Sequence, residues 1–377
     1  MLDLKEARKN IDEIDRQIVE LFEKRMLEAN EVAKYKLKTG KAVYDKEREE
    51  EKLENLGHLS SNEFNKRAIN ELFSQIMSIS RKYQYGVLPM TTKLTDFEKV
   101  DKLTVNPDTK VCYFGVPGSH TQQAMENFFG EEISGISCPT FQSVMDAVEK
   151  GEADYGVLPI ENSSTGGITA NYDLLLNYSN CIVGQYVNRI EQCLLSLPGA
   201  ELKDIKTIYS HPQGLMQCSE FLQKHPEIRQ IEFSDTATCA KKVAEDGDIT
   251  QAAIAAKRAA KEYDLQVLEQ GIQQEKNNST RFIVIGRQPV YLPNSNKIAL
   301  CIELSHECGS LYRILSHFMF NNLNMTQIES RPIEGRNWEY RFFIDVEGNL
   351  EDPAVRNALR GIKEEAKSIR ILGNFKC

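Results

Sequence analysis

At 377 residues the chain exceeds what one ordinary core organises, so roughly two or three domains are expected. Its net charge of −9 argues against a nucleic-acid binder: residues 1–85 balance 17 Lys and Arg against 17 Asp and Glu, while the remainder holds 29 against 38, so if the ligands are small anions a few local cations must hold them. Nine cysteines without a Cys-x-x-Cys pair, with Cys301 and Cys308 too far apart for a zinc knuckle, argue for reduced thiols in a cytoplasm rather than a metal centre or a disulfide framework.

The opening Met1-Leu2-Asp3-Leu4-Lys5-Glu6 is charged helix rather than an apolar leader, and no run approaches the apolar length of a membrane span. Residues 1–88 contain no proline and only Gly40, Gly57 and Gly86, and Ile11, Ile14, Ile18 and Leu21 recur at helical spacing, which predicts an all-helical module. Its first helix spans about Leu4 to Leu37, roughly 50 Å, a length that calls for another helix beside it. Arg25 and Lys36 return to within about 20° of each other across a rise of roughly 16 Å, so two long side chains can converge on one small ligand. Arg8 is about 25 Å from Arg25 and turned by roughly 100°, so it reaches that ligand only from an antiparallel second protomer. Asp45, Arg48 and Glu49 share one helix face, as do Ser80 and Gln84.

Arg8, Arg25, Lys36, Asp45, Arg48, Glu49, Ser80 and Gln84 together resemble the active-site set of the all-helical chorismate mutases. The resemblance implies an intertwined helical dimer that converts chorismate to prephenate. It also implies Arg8, Arg25 and Arg48 on the carboxylates or against the substrate, Lys36 and Gln84 donating to the ether oxygen, Asp45 and Glu49 at the hydroxyl end, and Ser80 supporting the pocket. A pericyclic rearrangement needs no nucleophile, only conformational restraint and stabilisation of charge on that oxygen.

Residues 89–109, opening at Pro89, lack a sustained period and read as a linker that lets the flanking modules move somewhat independently. From 110 to 288 the pattern is strand, polar loop, helix, repeated, which predicts two α/β lobes with ligand-binding loops at one sheet edge. Lys110–Phe114 runs into Gly118-Ser119-His120-Thr121, a helix start whose free N–H groups suit an anion. Tyr155–Ile160 runs into Glu161-Asn162-Ser163, and Ile208-Tyr209 into Ser210-His211-Pro212-Gln213 and then Gln217. Thr236-Ala237-Thr238 follows, and Thr280-Arg281-Phe282 opens the apolar strand Ile283-Val284-Ile285. Strand alternation puts Thr280 and Phe282 on one face and Arg281 on the other, so both polar groups meet one ligand only if the strand begins after them.

These five blocks resemble prephenate dehydratase, which implies a two-lobed, periplasmic-binding-protein-like fold, a site between the lobes, and conversion of prephenate to phenylpyruvate. By that resemblance Thr280 gives the proton to the departing hydroxide, with either Glu161 or Gln217 as the neighbour that polarises it. Arg281, Asn162 and the helix start near Ser119 to Thr121 orient the dianion, Phe282 shapes the pocket, and Ser163, Ser210, Gln213, Gln217 and Thr236 complete the binding set. Three glutamines depart from the family pattern: Gln185, where Glu is usual, Gln192, where His is usual, and Gln274, where an acid is usual.

Residues 296–377 read as βαββαβ, the ferredoxin-like order, either a structural dimerisation domain or a sensor. Gly309-Ser310-Leu311 and Glu329-Ser330-Arg331-Pro332 resemble the ligand motifs of ACT domains on phenylalanine-inhibited dehydratases, although Ala is usual at Ser310. The resemblances imply a homodimer or higher oligomer with chorismate and prephenate as substrates, phenylalanine as allosteric inhibitor, and no metal or organic cofactor. A binding protein that does not turn its ligand over, and an amino-acid sensor with relic catalytic blocks, are the two rival classes.

Overall fold

A computed structural model describes residues 3–88 and 94–377. Met1, Leu2 and Pro89 at the head of the expected linker lie outside the described residues. The chain forms two units, one of Met1–Asp96 with Cys301–Arg370, the other of Phe97–Leu300 with Ile371–Cys377. The three helices thus share their unit with residues 301–370.

In the first unit, helix Leu4–Thr39 starts at Asp3, whose carboxylate accepts from the Lys5 N–H, and stops at Gly40, whose φ of 71° suits only a residue without a side chain. Asp45 caps Lys46–Gly57 by accepting from the Arg48 N–H, and Asn62 caps Glu63–Val87 by accepting from that of Asn65. Ile11, Ile14, Ile18 and Leu21, the predicted stripe, are 53–64 % exposed in the single chain. The C-terminal segment follows the expected order: strand Lys297–Glu303, helix Ser310–Phe320, strands Met325–Pro332 and Tyr340–Glu347, helix Pro353–Glu365 and strand Ser368–Phe375. In space the strands run Met325–Pro332, Tyr340–Glu347, Lys297–Glu303, Ser368–Phe375. Glu329 to Pro332 are the last four residues of strand Met325–Pro332, which they close as expected.

The described residues of the second unit hold two large sheets and one two-stranded pair. In the first, Cys181–Arg189, Ser279–Gly286, Tyr155–Asn162, Lys110–Phe114 and Ser134–Cys138 lie side by side. In the second the order is Gln266–Gln270, Gln192–Ser196, Gln251–Ala256, Thr207–Ser210 and Arg229–Glu232. The chain leaves the first sheet between Arg189 and Gln192 and returns between Gln270 and Ser279. Thr280 thus stands where the return crossover ends. The far part of the expected linker belongs here: Glu98–Lys99 pairs in parallel with Val290–Tyr291, Phe97 is buried, and Tyr155 donates its hydroxyl to the Thr104 carbonyl at 3.1 Å.

Gly373 pairs with Ile182 so closely that a Cβ there would overlap the Ile182 carbonyl oxygen. Backbone cannot yield as a flexible side chain can, so Gly373→Ala is expected to lower stability by about 1–3 kcal/mol. The midpoint of urea unfolding checks this, and an unshifted midpoint would refute it.

Candidate active sites

The three N-terminal helices enclose a cavity of 350 Å³ lined by Arg25, Lys36, Asp45, Arg48, Glu49, Ser80 and Gln84, with Val32, Val43 and Met77 as its apolar wall. Helix capping sets two of these groups. Asp45 is held at the start of Lys46–Gly57, and Glu49 follows one turn on, so both carboxylates face the cavity. Arg25 Nη1 donates to Ser80 Oγ, which in turn donates to the Ile76 carbonyl at 2.9 Å. Lys36 Nζ donates to the Val43 carbonyl at 2.6 Å.

Burial pulls the pKa of both Arg25 and Lys36 downward, opposed by Glu49 at Arg25 and first by Asp45 at Lys36. The Oε1 of Gln84 is buried without a hydrogen-bond partner. A cavity with two partly desolvated cations suits a small anion, and the Gln84 amide oxygen is left to accept from a ligand hydroxyl. Arg48 pairs on the surface with Glu51 at 2.7 Å, and Arg8 is exposed and absent from the lining, in keeping with the helix geometry. Sequence reasoning missed Arg81, which joins the lining from the position after Ser80. Its two carboxylate partners lie 32 and 284 residues away, so no local pattern could have marked it.

In the second unit, Ser279–Gly286 begins before Thr280, so alternation applies and the condition for both polar groups to meet one ligand is not fulfilled. Thr280 lies opposite Asn162 on one neighbouring strand and Asn188 on the other, and Arg281 opposite Glu161 on one and Val187 on the other. Opposed residues share a face, so the two sets point to opposite sides. Asn162 Nδ2 donates to Thr280 Oγ1 at 2.9 Å and to Asn278 Oδ1 at 2.8 Å, and Asn188 reaches Gln123 at 3.4 Å. Arg281 Nε pairs with Glu161 at 3.1 Å, and its Nη1 donates to Gln185 at 3.3 Å. Glu161 is therefore not the neighbour that polarises Thr280. The Gln217 side chain accepts from Gln192 Nε2 at 3.2 Å, and the side chain that bonds to Thr280 Oγ1 is that of Asn162. Phe282 is fully buried below Thr280.

Ser119 caps helix His120–Phe129, with Thr121 buried in its first turn. The preceding turn meets the other lobe: a Cβ on Gly118 (φ 85°) would stand 3.0 Å from the Cα of Ala259, and Tyr263 donates its hydroxyl to the Pro117 carbonyl at 2.7 Å. Burial draws His120 down to about 4, so its ring is neutral near pH 7 and adds no cation. In the second lobe Ser210 is spent on the Ile254 carbonyl at 2.9 Å, the Gln213 N–H is held by His211, and Thr236 opens the helix capped by Asp235. Ser163 Oγ accepts from the Ser279 N–H at 2.9 Å, tying its loop to the strand. The three atypical glutamines border site residues: Gln185 touches Arg281, Gln192 touches Gln217, and the Gln274 N–H donates to the Gln217 carbonyl at 2.9 Å. Among the described residues no cluster of three or more His, Cys, Asp or Glu could hold a metal ion, and no helix is long and apolar enough to cross a membrane.

Comparison with known proteins follows the same division. Residues 7–85 match the family model of chorismate mutase type II, and residues 111–290 that of prephenate dehydratase. The bifunctional chorismate mutase/prephenate dehydratase of Aquifex aeolicus is 32 % identical over 100 % of this chain and 98 % of its own length. A prephenate dehydratase from Arthrobacter aurescens, solved in complex with L-Phe, is 31 % identical, with a TM-score of 0.66 over 71 % of this chain and 90 % of that one. A structure described as GqqA, a quorum quenching acylase, is 29 % identical, with a TM-score of 0.67 over 71 % of this chain and 98 % of that one. Because both family models match in one chain and a relative aligns from end to end, the chain belongs to the bifunctional chorismate mutase/prephenate dehydratase family.

Proposed function

We propose that the chain catalyses two consecutive steps of phenylalanine biosynthesis, chorismate to prephenate in the helical cavity and prephenate to phenylpyruvate at the mouth of the Thr280 strand. The observation that carries the reading is the cavity itself, which gathers seven of the eight expected mutase residues, drawn from all three helices. Arg25 and Arg48 would hold carboxylates, Lys36 and Gln84 would donate to the ether oxygen as charge gathers there, and Asp45 and Glu49 would accept from the hydroxyl. At the second site Thr280 would give its proton to the leaving hydroxide as the ring carboxylate departs as carbon dioxide. Prephenate dianion and one proton thus become phenylpyruvate, carbon dioxide and water. Incubating purified protein with chorismate tests both steps: loss of chorismate with appearance of phenylpyruvate supports the reading, and binding without turnover favours a sensor or binding protein.

The working form would be a homodimer or larger, supported by the exposed Ile11, Ile14, Ile18 and Leu21 stripe and by the distance of Arg8 from the cavity. Arg8→Ala and Lys36→Met should each lower mutase turnover by about 10²-fold or more. Refolding the two variants together should restore part of it, since one cavity of each mixed dimer is then intact. No recovery would refute a shared site.

We read residues 1–88, 110–288 and 296–377 as mutase, dehydratase and ACT domains, the last with the ferredoxin-like order. Gly309, Ser310 and Leu311 at the start of helix Ser310–Phe320, with Glu329 to Pro332, would form the phenylalanine site between two copies. A recess of 100 Å³ beside Ser310, walled by His306, Trp338, Tyr340 and Phe342, supports an aromatic effector. Feedback then requires that phenylalanine bind one of two states better. Seven of the nine free cysteines are buried thiols, which suits a cytoplasmic enzyme.

A further inference from the structure

Glu49 lines the helical cavity, and both of its carboxylate oxygens bond to Arg81 Nη1. The Arg81 side chain is 5 % exposed and lies over the Tyr44 ring, 4.8 Å from its centroid. From its other edge, Nε and Nη2 reach Oε1 of Glu365 at 3.1 and 3.0 Å. Glu365 ends helix Pro353–Glu365, is 4 % exposed, and has Nε2 of His317 3.1 Å from the same oxygen. Burial works against the charge of Arg81, and Glu365 and Glu49 outweigh it. A guanidinium is a rigid planar fork, so where Glu365 stands decides where Arg81, and through it Glu49, can stand. A carboxylate offers about four acceptor positions, so Glu49 keeps capacity for a substrate hydroxyl.

We infer that Arg81 is a positioning residue of the mutase reaction, fixing the Glu49 carboxylate toward the substrate and making its placement depend on Glu365 at the end of the C-terminal helix. The inference rests on the mutase reading of the cavity. It goes further by tying a mutase group to a residue more than 300 positions away in the chain.

The test is steady-state mutase kinetics on the full chain for Arg81→Met, Arg81→Lys, Glu49→Gln, Glu365→Gln and the pair Arg81→Met/Glu49→Gln, with dehydratase turnover of added prephenate as the check on folding. Displacing a positioned group by about 1 Å costs on the order of 10²-fold, so Arg81→Met should lose about that in kcat/KM. Arg81→Lys should recover part of it. Glu365→Gln, nearly the same shape, should reduce kcat/KM in the same direction by a smaller factor, and it keeps the inference testable if Arg81→Met does not fold. Adding Glu49→Gln to Arg81→Met should cost much less than Glu49→Gln costs in the wild-type chain, because both changes remove one contact, whereas a merely structural role gives losses that multiply. Wild-type turnover with Glu365→Gln unchanged, or with multiplying losses in the double variant, overturns the inference alone. A wild type that leaves chorismate untouched overturns the reading of the cavity and the inference with it.

Discussion

Thr280→Val should lower dehydratase kcat by about 10²- to 10⁴-fold, the usual contribution of a positioned proton donor, while mutase turnover in the same preparation stays at its wild-type value. Thr280 Oγ1 already accepts a hydrogen bond from Asn162 Nδ2, so its own proton is directed elsewhere and the hydroxyl is polarised toward giving it up. A threonine is a weak acid in water, and it serves only if the proton moves as the hydroxide leaves. Valine keeps the shape and removes the proton. Asn162 Nδ2 still has Asn278 Oδ1 at 2.8 Å and the Ser279 carbonyl at 3.3 Å, so the buried amide is not orphaned and the fold should hold. Dehydration of prephenate by Thr280→Val within a few-fold of wild type would remove Thr280 from the donor role.

The same residue shows where sequence reading stops. Alternation along Ser279–Gly286 is a local property with period two, and it separated Thr280 from Arg281 correctly once the strand's start was known. Which groups meet them depends on strands 118 and 96 residues away, and so the sequence alone does not point to Asn162 as the side chain that bonds to Thr280. The helical cavity was legible for the converse reason: Arg25 and Lys36 lie on one helix, where 3.6 residues per turn fixes their relation without knowledge of any partner. Arg81 carried no such signal, because its environment is made by Glu365 from the far end of the chain. The second half of the expected linker carries no local signal of its pairing, since Glu98–Lys99 meets Val290–Tyr291 nearly 200 residues on.

Lys36→Met should cost mutase kcat on the order of 10²- to 10³-fold or more, the scale for losing one preorganised donor to a developing oxyanion, and should leave turnover of added prephenate intact. The charge is the point, since methionine keeps the apolar stem that packs beside Val43. Burial holds the Lys36 pKa below the ordinary lysine value, with Asp45, Glu364 and Glu49 only partly restoring it. Mutase kcat/KM should therefore fall, as pH rises, on a limb below the range of a free lysine, and Lys36→Arg should move that limb upward because a guanidinium stays charged there. Stability runs the other way. A lysine whose folded pKa lies below its unfolded value binds fewer protons in the native state, so its contribution becomes more favourable as pH rises from the folded toward the unfolded value. At neutral pH the charged lysine is thus a cost to folding, and Lys36→Met should unfold no earlier than wild type. A variant that is stable yet slow places the loss on the missing cation, whereas one that turns over chorismate at near wild-type speed would show that the cavity does not stabilise the ether oxygen through Lys36.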